Sequence, residues 1–228
     1  MLKSLCAGAV GARFIPAIAA FVLLSCLGAM AGKDFVMPAA QPARTYPAHD
    51  EHKMEKVTVA VDPYDMGDKA QIFSVNYREY DYLPVFLIVT NDGDQPVSLG
   101  GMKAELVTVN REKLWAATVD DLVRRMSHPQ RNDRPSPLPI PLPGGRKVKG
   151  VVSGKTLDEI NRAMFSAKAI EPHTTRAGFV FFDVSDISTP LAGANFYLTG
   201  VDDAGGNELM YFEIPMEKYL SAPEAKKP

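Results

Sequence analysis

Residues 83–99 read LPVFLIVTNDGDQPVSL, from Leu83 to Leu99. The first eight are almost all apolar and β-branched or aromatic. That composition predicts a central strand covered on both faces, because a strand with one wet side alternates instead. Asn91-Asp92-Gly93-Asp94 follows directly, a turn signal made of residues that tolerate positive φ.

Other strands assemble around this one. Residues 57–61, VTVAV, alternate as a half-buried strand does, and Asp62-Pro63 ends them. Residues 102–109 alternate again, and residues 176–184, RAGFVFFDV, form a further strand. Residues 195–201 and 208–214 flank DDAGGN as a hairpin. Tyr219-Leu220 closes the domain. Two helices interrupt the pattern. Thr118-Val119-Asp120-Asp121 opens a short one reaching about Met126. Thr156 and Glu159 have the spacing of a capping box, with Leu157, Ile160 and Met164 as the apolar stripe behind them. Between the helices, proline at 135, 137, 139, 141 and 143 predicts an extended, polyproline-like segment outside any central ladder. Short strands, turn signals and helices confined to the middle indicate an all-β chain built as a β-sandwich.

The core strand ending in Asn91, with Gly93, Pro96 and Val97 after it, resembles bacterial exported immunoglobulin-like domains found in many lipoproteins. Pro172, Gly178, Phe179 and Phe181 match the later strand of that pattern. The expected fold is therefore an immunoglobulin-like β-sandwich over residues 56–220, with a helix- and proline-containing insertion at about 118–170. The pieces KDFVMP…TYPAHDEH and GNELMYFEIPMEKYL also resemble a family of uncharacterised exported bacterial proteins. The resemblance implies a module that binds or braces other molecules.

Residues 1–31 read as a targeting segment. Lys3 and Arg13 precede an uncharged run from 14 to 32, followed by Lys33. A basic start, an apolar stretch and a small-residue site form a secretory signal. Leu23-Leu24-Ser25-Cys26 fits a lipobox, which would make Cys26 the first residue and its lipid the membrane anchor. Ala29-Met30-Ala31 fits ordinary signal peptidase, leaving Gly32 first. Uncut, the 19 residues from 14 to 32 approach the ~20 needed to span a bilayer. All three place the rest of the chain outside the cytoplasm, in the periplasm or cell envelope. Residues 32–55, with three prolines and no sustained period, read as a tether or peripheral strap, and 221–228 as a disordered tail. Cys6 and Cys26 are the only cysteines, so the exported part forms no disulfide, and its length suffices for a core without one.

Removal of Lys3 and Arg13 takes the formal charge from −2 to −4, which argues against a nucleic-acid partner. His49, His52 and Met54, within HDEHKM, are candidate ligands for copper or zinc, the alternative to a partner-binding role. Asn91, Asp92 and Asp94, and likewise Asp202, Asp203 and Asn207, offer oxygens but too few for a calcium loop. Arg124, Arg125, His128, Arg131 and Arg134 make a basic patch suited to an acidic partner or to the solvated end of a helix. His173 follows Pro172 at a turn. No GxSxG elbow or phosphate loop is present. The expectation is a non-enzymatic protein without a cofactor that binds an envelope protein. Tyr77, Tyr80 and Tyr82, in SVNYREYDYLP, are the expected anchors of that contact.

Overall fold

A computed structural model describes residues 34–65, 67–127 and 152–222. The targeting segment with Cys26, the proline run, and His128, Arg131 and Arg134 lie outside the described residues. Ten strands run β1 (His49–His52), β2 (Val57–Pro63), β3 (Tyr82–Asn91), β4 (Val97–Ser98), β5 (Lys103–Val107), β6 (Lys113–Trp115), β7 (Ala169–Ile170), β8 (Thr174–Asp183), β9 (Asn195–Thr199) and β10 (Phe212–Pro215). Four helices of four to ten residues accompany them. None among the described residues is long and apolar enough to cross a membrane.

The strands form two four-stranded antiparallel sheets, ordered β1-β2-β3-β8 and β10-β9-β5-β6, with β4 and β7 as a separate pair. The order β2-β3-β8 facing β10-β9-β5-β6 is the A-B-E against G-F-C-C′ arrangement of an immunoglobulin-like sandwich. β1 is an extra strand beside β2, and the helical insertion falls between β6 and β8.

All ten residues of β3 are buried, as its unbroken apolar run predicts. Leu83, Val85, Leu87 and Val89 point between the sheets, where they meet Leu106, Phe196, Leu198, Phe212 and Ile214. Tyr82, Phe86 and Ile88 point the other way, with Phe179 and Phe181 of β8. That second face is covered by Phe35 and Phe73, by Leu122 and Met126 of the Val119–Ser127 helix, and by Ile160 of the Gly154–Ala163 helix. The aromatic rings interlock there: Phe35 stacks on Phe73 at 5.4 Å, and Tyr64 meets Phe179 edge-on at 4.9 Å.

One expectation resolves and one needs correction. Residues 34–52 are the peripheral strap and not the tether. Phe35 and Ala43 are buried, the Ala43 amide donates to Thr90 Oγ1 at 2.8 Å, and β1 pairs with β2 from His49↔Ala60 to His52↔Val57. Nor do Thr156 and Glu159 make a capping box. The helix begins earlier, with Ser153 as its N-cap accepting from the Thr156 amide at 3.2 Å. Glu159 is free to turn inward. Its buried carboxylate accepts from the Ser74 amide at 3.0 Å, from the Ser74 hydroxyl, and from the Tyr77 hydroxyl at 3.1 Å. The box sits instead on the other helix, where Thr118 Oγ1 accepts from the Asp121 amide at 3.2 Å and the Thr118 amide donates to Asp121 Oδ2 at 3.1 Å.

The edge of β8 is closed from two sides, by Ala117, whose amide donates to the Phe181 carbonyl at 2.8 Å, and by Phe165, whose amide donates to that of Phe179 at 2.9 Å. The second approach requires glycine at 178, because a Cβ there would lie 2.5 Å from the Phe165 Cα. Gly178→Ala is therefore expected to cost about 1–3 kcal/mol, read from urea unfolding. An unchanged midpoint would show that residues 164–165 do not hold the edge. Burial also raises the phenol of Tyr64 above its ordinary value, with Asp62 adding to the shift. Unfolded chains lose this proton near pH ~10 while folded chains keep it, so the stabilisation holds below that pH and falls above it, by up to ~1.4 kcal/mol per pH unit. Tyr64→Phe is expected to flatten the alkaline decline in stability while leaving the midpoint near pH 7 in place.

Candidate ligand-binding face

Among the described residues, the β10-β9-β5-β6 sheet has a solvent-facing side. In β5, Ala104 and Leu106 point inward, so Lys103, Glu105 and Val107 point out. The same alternation sends Tyr197 and Asn195 outward from β9, Glu213 from β10 and Trp115 from β6. The registers then align these side chains across the sheet. Trp115 opposes Glu105, Glu105 opposes Tyr197, and Tyr197 opposes Glu213. One row therefore reads Trp115–Glu105–Tyr197–Glu213 over four strands.

Direct and diagonal cross-strand contacts fix the row. The Tyr197 hydroxyl donates to Glu213 Oε1 at 2.6 Å, and Asn195 Nδ2 donates to the same oxygen at 3.2 Å. The bond to Glu213 raises the Tyr197 phenol above its ordinary value, with burial next, so it stays a donor. Tyr211, just before β10, brings its ring to 5.9 Å from that of Tyr197. Lys113 Nζ lies 3.0 Å from Glu105 Oε1, an ion pair by distance. Its angle does not make a hydrogen bond, and that buried oxygen has none. Trp115 is 57% exposed and Tyr211 49%.

On its other side Trp115 borders a cleft of about 500 Å³, lined among the described residues by Tyr82, Asp121, Arg124, Arg125 and Asp183 as well. Its cations are matched. Arg124 donates to Asp121 at 2.8 Å, and Arg125 to Ser185 at 2.9 Å and to Asp183, with Asp81 at 3.7 Å. The Arg125 guanidinium also lies over the Tyr82 ring at 5.5 Å. Of the expected basic patch, these two arginines are thus committed to neighbouring carboxylates.

The expected tyrosine anchors are corrected by burial. Tyr77 is 2% exposed and Tyr82 3%. Residues 77–80 are a turn of 3₁₀ helix capped by Asn76, not an edge strand. Tyr77 packs on Phe73 and Phe181 at 5.0 and 4.8 Å, and Tyr80 is half-buried on the same cluster. The histidine–methionine set does not converge. His49 Nδ1 is 2.6 Å from the Tyr46 carbonyl, the His52 ring stacks on Phe212 at 3.9 Å, and Met54 is 91% exposed. Among the described residues no group of three His, Cys, Asp or Glu side chains is placed to hold a metal. The two polar turns tie backbone: Asn91 Nδ2 donates to the Gln95 carbonyl at 2.8 Å, and Asp203 Oδ1 accepts from the Gly205 and Asn207 amides at 2.8 and 2.9 Å. His173, at φ +54°, lies 3.2 Å from Asp94.

No family model matches the chain, and no curated protein matches it either. One solved structure it is similar to is described as "X-ray structure of Northeast Structural Genomics Consortium target SoR45". The alignment covers 76% of this chain and 96% of that one, at 11% identity and a TM-score of 0.29. The fold assignment rests on the strand registers alone.

If the row is surplus to folding, its removal is cheap. Trp115→Ala is expected to change stability by less than about 1 kcal/mol. Phe196→Ala, one residue from Tyr197 but fully buried, is expected to cost about 3–5 kcal/mol. Equal losses in urea unfolding would show that Trp115 serves the core.

Proposed function

We propose that this chain is a non-enzymatic binding module exported to the cell envelope, held at the membrane by lipid on Cys26. It engages an envelope partner with the outer face of the β10-β9-β5-β6 sheet. The observation that carries the reading is the row Trp115–Glu105–Tyr197–Glu213, with Tyr211 beside it. Large rings exposed on a rigid sheet, and not required by the core beneath, are the composition of a recognition surface. The two buried tyrosines offered as anchors from sequence are replaced by residues whose strands hold them in fixed rows. Export is supported by Lys3, Arg13, the uncharged run and Leu23-Leu24-Ser25-Cys26.

Both halves are open to test in one preparation. The mature protein extracted from bacterial envelopes is expected to begin at Cys26 and to carry a lipid-sized mass increment. Cys26→Ala should release it from the membrane fraction. A mature chain beginning at Gly32 with no increment would remove the anchor. A photo-crosslinking residue at position 197 should give adducts in intact envelopes, whereas one at the exposed position 36, beside Phe35 on the far side of the first sheet, should not. No adduct from position 197 would remove the face.

A further inference from the structure

The geometry points to an extended neutral polysaccharide as the ligand of this face. The inference rests on the binding reading above and names the ligand class. Trp115 and Tyr197 flank Glu105 from the strands on either side, so their rings stand two strand spacings apart, about 10 Å. That separation is roughly the length of a disaccharide. Tyr211 adds a third ring, 5.9 Å from that of Tyr197 and tilted 55° to it. Each ring offers a flat apolar surface, and a pyranose presents a matching one through its axial C–H bonds. Carboxylates alternate with the rings along the row. Glu105 sits between Trp115 and Tyr197, and Glu213 is held by Tyr197 and Asn195. A chain of sugar rings lying across the strands would stack on the aromatics and donate its equatorial hydroxyls to these acceptors.

Other ligand classes fit the same residues less well. The cores of protein interfaces are depleted in charged side chains, yet here glutamates take two of the row's four positions. With Glu105 paired to Lys113 and Glu213 beside Tyr197, the row holds no cluster of cations for phosphate, which disfavours nucleic acid and anionic lipid heads. An apolar segment laid on the face would bury both carboxylates without supplying a donor. A polyhydroxylated ligand supplies stacking surface and donors together.

Trp115 is the only tryptophan in the chain, so its fluorescence reports this site alone. Full-length protein purified in detergent would be titrated with cellohexaose, chitohexaose and maltohexaose, and each titration repeated by calorimetry. At least one sugar is expected to shift the Trp115 emission saturably. Tyr197→Ala and Tyr211→Ala should each weaken its binding about tenfold, on the scale of one lost stacking contact. Glu213→Gln should weaken it several-fold with the fold intact by circular dichroism. Val36→Ala, exposed beside Phe35 on the far side of the first sheet, should bind as the parent does. No saturable response to any of the three sugars, or full binding by Tyr197→Ala, overturns the inference. The crosslinking at position 197 separates the two levels of argument. Protein adducts with no sugar response would refute the polysaccharide and keep a binding face, while the absence of both would refute the face itself.

Discussion

Burial of β3 on both sides constrains everything else in this molecule. A strand with ten consecutive buried residues needs hydrogen-bonding neighbours on both edges and an apolar layer above and below. β2 and β8 supply the edges in continuous antiparallel register. The second sheet supplies one layer, and no comparable sheet is available for the other. The N-terminal strap, residues 72–77 and the two insertion helices supply it instead. Such a patchwork has many backbone ends to satisfy. The buried Glu159 does this for one junction, taking donors from Ser74 and Tyr77 while its own helix is capped by Ser153. An isolated carboxylate would be costly at that depth, and three donors offset the cost.

The local signals that were legible in the sequence were those with one physical meaning. An unbroken apolar run means a doubly covered strand, and β3 is one. Thr118-Val119-Asp120-Asp121 means a helix start, and the cap is there. The misread cases carry two meanings at once. Tyr77, Tyr80 and Tyr82 are spaced almost as an outward strand face would be, but Asn76 caps a 3₁₀ turn and Asp81 takes a left-handed φ of 62°. That turn rotates Tyr77 into the ring cluster and hands Tyr82 to the start of β3. Thr156 and Glu159 have capping-box spacing, yet a serine three residues upstream captures the helix start. In both cases a nearby competing cap decided the outcome, and periodicity carries no record of it.

The aromatic face was invisible for a different reason. The segments around Lys113–Trp115, Asn195–Thr199 and Phe212–Pro215 each alternate, so the outward phase of each can be read alone. Which strands become neighbours, and in what register, is a long-range fact. Trp115 and Tyr197 are 82 positions apart in sequence and come to opposite sides of Glu105 only because β5 pairs with both β6 and β9. Hydrophobic pattern fixes the phase of a strand and leaves its neighbour open.

The same topology explains why recognition belongs on this sheet. The first sheet is covered on both faces along β2 and β3, so its centre has no side chains to offer. The turn after β3 spends Asn91 on its own backbone, and the β9–β10 loop spends Asp203 likewise. The cleft beyond Trp115 spends its arginines on Asp121 and Asp183. What stands free is the outer side of β10-β9-β5-β6, where each side chain is placed by a strand whose opposite residues are locked in the sandwich core. Phe196 and Leu198 anchor Tyr197, Leu106 anchors Glu105, and Phe212 anchors Tyr211. Rings and carboxylates held this way lose little further freedom when a ligand arrives, and that preorganisation favours a rigid, repetitive ligand over one that must fold onto the surface.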